Sequence, residues 1–116
     1  MIRLLAIALL AASTALARPV QRGAASWYGE EHRGRLMANG RPFNPDALTC
    51  ASWYFPLGTV LHVRHARRSV YVIVTDRGPR RDLVRAGRVV DLSRRAFELL
   101  GNLNRGLLPV EICPVL

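Results

Sequence analysis

The chain contains no lysine, so all of its positive charge is carried by arginine. Carboxylates are scarce: 8 Asp and Glu stand against 17 basic residues, for a formal net charge of +9. Aromatic residues make up 7% of the chain. The 2 cysteines show no CxxC spacing, and the 3 histidines form no HExxH. A zinc site of the usual spacings is thereby excluded. His62 and His65 lie three apart on an expected strand, where side chains point to opposite faces, so they do not make a joint metal site. No P-loop, dinucleotide fingerprint, Ser–His or Cys–His nucleophile pair, internal repeat or low-complexity tract is present, and nothing calls for a cofactor.

The chain has no apolar run long enough to span a bilayer as a mature helix. The first 17 residues, MIRLLAIALLAASTALA, instead read as a cleavable leader. Arg3 supplies the positive n-region, Leu4 to Ala12 the apolar h-region, and Ala15-Leu16-Ala17 the small-x-small cleavage site. No cysteine follows for lipid attachment. Residues 1–17 are thus expected to be a signal peptide, 18–22 a short lead-in and 23–116 a single domain in the periplasm or outside the cell, without stable membrane insertion and monomeric. A basic surface attracts polyanions. With an export signal, the anions are wall or envelope polymers rather than nucleic acid. In an oxidising compartment the even pair Cys50 and Cys113 invites a disulfide, closing a loop of about 60 residues and contributing ~4 kcal/mol in the chain-entropy picture. The alternative is two separately buried thiols.

Ala24 to Tyr28 reads as a first strand ended by Gly29. Glu30 to Asp46 is one long loop rich in Gly, Pro and Asn, with a turn at Asn39-Gly40; long ordered loops in small domains often carry function. Ala47 to Trp53 is a short strand or buried segment. Thr59 to His65 is a strand with Leu61 and Val63 facing inward. Ser69 to Thr75 is apolar on both faces, as in a buried barrel strand. Arg80 to Gly87 is a basic loop, and Arg88 to Leu92 is strand-like. Ser93 caps the one clear helix, with Leu92 and Phe97 as a hydrophobic staple and Gly101 at its C′ position. Leu107 to Cys113 is a final strand.

An apolar strand runs into Thr75-Asp76-Arg77-Gly78-Pro79, which sets an acid at a strand mouth followed by a cation and a tight turn. This motif falls in order with Ala25-Ser26-Trp27-Tyr28-Gly29, Gly34-Arg35, Ala38-Asn39-Gly40, Leu48-Thr49 with Pro56-Leu57-Gly58-Thr59, and Asp91-Leu92-Ser93. Together they resemble the rare lipoprotein A (RlpA) family. The resemblance implies a mainly β fold, a six-stranded double-psi β-barrel with one short helix. It implies peptidoglycan glycan strands as partner and, in active members, lytic transglycosylation. Active members carry a Glu and an Asp after the Asn-Gly turn, a His after the Leu-Thr segment, and the Asp of the Asp-Arg-Gly-Pro motif. The corresponding residues here are Arg41, Asn44, Ser52 and Asp76.

Two-carboxylate glycoside hydrolysis needs a pair of acids, and Arg41 and Asn44 supply neither. Lytic transglycosylation asks less, because the nucleophile is the sugar's own 6-hydroxyl. A single acid, Asp76, can protonate the glycosidic oxygen and then accept the hydroxyl proton. Asp76 is therefore the expected catalytic residue. Tyr28, Asn39, Arg41, Asn44, Ser52 and Arg77 are the expected substrate-binding groups. An Arg41 facing Asp76 would hold that acid ionised. Asp91, just ahead of a helix, is expected to be structural. Trp27 is expected in the core, and Trp53-Tyr54 forms a second aromatic pair of open role. The rival readings are a non-catalytic wall-binding barrel with a degenerate site, and a barwin- or expansin-like interaction module.

Overall fold

The computed structural model describes residues 20–115; the expected leader lies outside them. Six strands close into a barrel: β1 (Gln21–Tyr28), β2 (Thr49–Ala51), β3 (Val60–His65), β4 (Arg68–Asp76), β5 (Arg88–Ser93) and β6 (Leu108–Pro114). Around the barrel they run in the order β1-β5-β2-β4-β3-β6. The pairs β1·β5 and β2·β4 are parallel and the other four antiparallel. This is the closed β architecture expected of a double-psi barrel, and closure leaves no strand edge open to another chain.

The alternation of the strands explains the closure. On β3, Leu61 and Val63 point inward and are fully buried, as expected. They meet Val72 and Val70 across the β4 register, and Ile112 of β6 opposite Val63. These inward rows of β3, β4 and β6 are valine, isoleucine and leucine, which suit a pleated, half-buried surface. β4 differs from expectation on its second face. Val70, Val72 and Val74 are buried, but Tyr71 and Ile73 are 58% and 45% exposed. The strand is apolar on both faces, yet only one faces the core, because no layer covers the barrel there. β1 starts earlier than its sequence suggests. Gln21 and Arg22, expected in a lead-in, pair with Ile112 and Glu111 of β6.

Two short α-helices accompany the strands. Arg81–Arg85, expected as loop, forms α1. Arg94–Leu100 forms α2, capped by Ser93, whose hydroxyl accepts from the Ala96 amide at 3.2 Å. Ala96, Phe97 and Leu100 of α2 join the core. Gly101 is not the left-handed C′ residue expected: its backbone is extended, at φ −176°. Its lack of a side chain serves packing instead, since a Cβ there would stand 3.0 Å from Leu108 Cδ1.

Cys50 and Cys113 are both free thiols, which overturns the expected disulfide. β2 and β6 are not neighbours in the barrel; β4 and β3 stand between them on one side. Cys50 is fully buried in the core, whereas Cys113 follows the inward Ile112 and so lies on the outer face of its strand. The barrel wall separates the two sulfurs, and a disulfide needs Cα atoms within about 7 Å. Burial pushes the Cys50 thiol well above its ordinary value, so it stays protonated and acts as a small apolar side chain.

Candidate functional site

The end of β4 places Asp76 beside β2, where it is the cross-strand neighbour of Ala51. On the other edge of β2, Ala51 pairs with Asp91 of β5. Two carboxylates therefore flank one small residue from either side. With strands spaced about 4.8 Å apart, their Cα atoms are no more than about 10 Å apart. Both line a cleft of about 490 Å³, together with Tyr28, His32, Arg35, Phe43 and the turn residues Arg77 and Gly78.

Asp76 is held by backbone. Its Oδ1 accepts the Ala38 amide at 2.9 Å and the Arg77 amide at 2.8 Å. The Ala38 contact explains the long loop. Residues 34–43 fold back as a small hairpin through Gly34 N–H to Phe43 O and Phe43 N–H to Arg35 O, at 2.9 and 2.8 Å. Gly40 turns the tip at φ +83°, a left-handed conformation suited to glycine. The tip then docks on β4 through the Asn39 amide and the Thr75 carbonyl, 3.1 Å apart.

Asp91 was expected to be structural, and the structure puts it in the cleft. Its Oδ1 accepts a short hydrogen bond from the Ser26 hydroxyl. Burial pushes the carboxyl above its ordinary range; the Ser26 bond and the Arg88 charge oppose this, and the Asp76 charge reinforces it. Gly78 leaves Oδ2 accessible: a Cβ on Gly78 would stand 3.2 Å from it and 3.2 Å from the Ala51 Cβ. The sequence signal for Asp91 was an acid set inside the apolar run Val89-Val90-Asp91-Leu92.

Tyr28 lines the cleft in a fixed pose. Its ring stacks on Phe43 with centroids 4.2 Å apart and planes at 19°, and His32 meets it edge-on at 5.9 Å. Its hydroxyl is buried and has no partner among the described residues. Burial, aided by Asp76, pushes that hydroxyl far up, so it is held as a hydrogen-bond donor.

The remaining expected binding residues fare differently. Arg77 lines the cleft, but its Nη1 donates to the Ser52 and Phe55 carbonyls at 2.8 and 2.7 Å, which clamps the chain after β2. Ser52 is fully buried, and its hydroxyl accepts the Tyr54 amide, so it does not face the cleft. Asn39 and Asn44 use their side-chain oxygens on the amides two residues on, Arg41 and Asp46, at 3.0 and 2.9 Å. Both are turn-formers. Arg41 is exposed, lies outside the cleft lining and makes no ion pair with Asp76 among the described residues. Of the other acids near the loop, Glu30 and Asp46 are tied to Arg33, Asp46 also to Arg94, and Glu31 lies 3.6 Å from the His32 ring. Trp27 packs on the core as expected and donates its indole N–H to the Leu103 carbonyl at 3.1 Å. A second, more apolar depression of about 640 Å³ lies between Arg22, Arg64, His65 and Leu108. Its one acid, Glu111, is taken by Arg22 and Arg64, at 3.0 and 2.7 Å.

Residues 20–112 match the family described as Lytic transglycolase. The chain is 43% identical over 95 residues to a protein named Probable endolytic peptidoglycan transglycosylase RlpA from Nostoc sp., covering 78% of this chain and 24% of that one. It is 45% identical over 92 residues to a protein of the same name from Aquifex aeolicus, covering 78% of this chain and 39% of the other. The chain thus spans well under half the length of these relatives. Among solved structures, a mutant of Clavibacter michiganensis expansin in complex with cellohexaose superposes with a TM-score of 0.64 at 25% identity, over 84% of this chain and 51% of the expansin. The Streptomyces papain inhibitor superposes with a TM-score of 0.67 at 24% identity, over 84% and 96%, a likeness of fold. No helix among the described residues is long and apolar enough to cross a membrane.

Proposed function

The chain belongs to the lytic transglycolase family of RlpA-like double-psi barrels, and from that membership we propose that it cleaves peptidoglycan glycan strands by lytic transglycosylation outside the cytoplasm, after removal of the 1–17 leader. One observation carries the reading: Asp76 and Asp91 share one cleft, across Ala51, that Tyr28 also lines. The relatives' names point to peptidoglycan, and an expansin of this fold is seen with an oligosaccharide.

The two acids divide the work. Asp91, raised by burial, is the proton donor, and the accessible Oδ2 beside Gly78 carries the proton. An acid tuned upward toward the working pH is the better general acid. The proton passes to the glycosidic oxygen as the C1–O bond breaks. The sugar's 6-hydroxyl oxygen closes on C1, forming the 1,6-anhydro ring. Its proton goes to Asp76, whose Oδ1 is held by two amides and whose Oδ2 remains available. The net transfer of one proton from Asp91 to Asp76 is restored through solvent. The sequence-based reading, with Asp76 as both acid and base, is thus replaced by a pair, and the family residues missing at Arg41, Asn44 and Ser52 are not required for the step.

The test is digestion of purified glycan strands with mass spectrometry of the ends. Anhydro ends are expected from wild type. Asp91→Asn and Asp76→Asn should each lower the rate at least about a hundredfold, the range of a lost general acid or base. Binding without products in wild type would sink the enzyme and favour a wall-binding barrel. Full activity in Asp91→Asn would return both roles to Asp76.

A further inference from the structure

On the far side of the Gly78–Pro79 turn lies a smaller depression of about 260 Å³, lined by Trp53, Tyr54, Arg81, Val84 and Arg85. Trp53 and Tyr54 are 39% and 42% exposed, large apolar surfaces that the core does not use. Both are nevertheless set in place. The Trp53 indole donates to the Pro79 carbonyl at 2.6 Å, and the Tyr54 amide is held by the Ser52 hydroxyl. The Arg81 guanidinium lies over the Trp53 ring, 4.2 Å from its centroid. Arg85 follows four residues later on α1, on the same helix face.

These two cations are free. The acid of α1, Asp82, is taken by Arg80 at 3.0 Å, and among the described residues neither Arg81 nor Arg85 pairs with a carboxylate. A stacked guanidinium is weakly hydrated and presents its N–H edge, so it suits a planar anion bound in two-pronged fashion. Two free arginines over an aromatic floor therefore fit a carboxylate carried on a ring or an amide-rich arm.

We infer that this depression binds the carboxylate of a muramyl residue of the strand, beyond the reacting sugar and past the turn. The inference rests on the proposed function and extends it beyond the cleft. Gly78 and Arg80 line the acid cleft, Arg81 lines the depression, and Pro79 joins them. A strand lying in the cleft thus continues over the same turn. Every second sugar of that strand bears a lactyl group. Its carboxylate is either free or extended by a peptide that ends in further carboxylates. The depression recognises the shared carboxylate, and the ligands below separate the two sources.

The experiment uses the full chain and reads Trp53 fluorescence while N-acetylmuramic acid, muramyl dipeptide or uncharged N-acetylglucosamine trimer is added. Saturable quenching is expected with one or both carboxylate ligands and weaker binding with the trimer; the ligand that binds more tightly identifies the source. Arg81→Gln with Arg85→Gln should weaken the carboxylate ligand at least tenfold and leave the trimer unchanged, as should the single change Arg85→Gln to a smaller degree. Trp53→Phe removes the signal and assigns it. Equal affinity for charged and uncharged sugars, carboxylate binding indifferent to the arginines, or no carboxylate binding at millimolar concentration overturns the inference. Strand cleavage is measured separately. Cleavage without arginine-dependent binding defeats this inference alone, and arginine-dependent binding without cleavage defeats the enzyme reading alone.

Discussion

At the scale of single residues, Asp91 shows how little a side chain's type says without its surroundings. Its neighbours in the chain are apolar and it precedes a helix, which is how a structural carboxylate looks. The strand pairing turns it toward the same cleft as Asp76, and burial raises it. That shift has a sign in stability. A carboxyl whose folded value lies above its unfolded value penalises the folded state once ionised. The penalty is absent below about pH 4, the unfolded carboxyl range, and grows as pH rises to the folded value, then levels. Urea unfolding across pH should find Asp91→Asn close to wild type in acid and more stable at neutral pH, by about 1.4 kcal/mol for each pH unit of upward shift. A difference that does not vary with pH would show that Asp91 is not raised. A group held in its less favourable state at neutral pH fits a functional site.

At the scale of elements, the Asp76-to-Arg80 turn does three separate jobs. Asp76 supplies a carboxylate, Arg77 clamps two carbonyls after β2, and Gly78 leaves room at Asp91 Oδ2. Gly78→Ala tests the last of these. The added methyl meets Ala51 and Asp91 at 3.2 Å each, so the neighbours must give by a few tenths of an ångström. Strand cleavage should fall about tenfold or more, since small displacements at reacting groups are costly, while the melting temperature moves by only a few degrees. Unchanged cleavage would mean that Oδ2 is not the reacting oxygen. The turn was legible in the sequence as a motif. The helix that follows it was not, because Arg81–Arg85 is one short turn with no buried residue to give it an apolar period. The same holds for Ser52, Asn39 and Asn44. A polar residue in a loop reads alike whether its oxygen faces a ligand or its own backbone, and here all three serve the backbone.

At the scale of the whole molecule, closure of the barrel decides the cysteine chemistry. Pairing Cys50 with Cys113 followed from counting thiols in an oxidising compartment, and the strand order forbids it. Melting temperature should therefore be the same with and without reductant. Two thiols should titrate in denaturant without prior reduction. A shift of several degrees on reduction, or no titratable thiol, would contradict the strand order described. Stability rests instead on the inward rows of the six strands and the α2 face that caps them.

The sequence alone determined the inward row of β3, the final strand β6, the Ser93 cap, the aromatic core position of Trp27 and the family-like turn at Asp76, because each depends on residues close together in the chain. Periodicity, capping and turn chemistry are local. Only the tertiary structure decided that Asp91 joins Asp76, that Arg41 leaves it alone, and that Trp53 lies under Arg81. Each of these depends on strands brought side by side by barrel closure, and the sequence spacing between them carries no trace of that proximity.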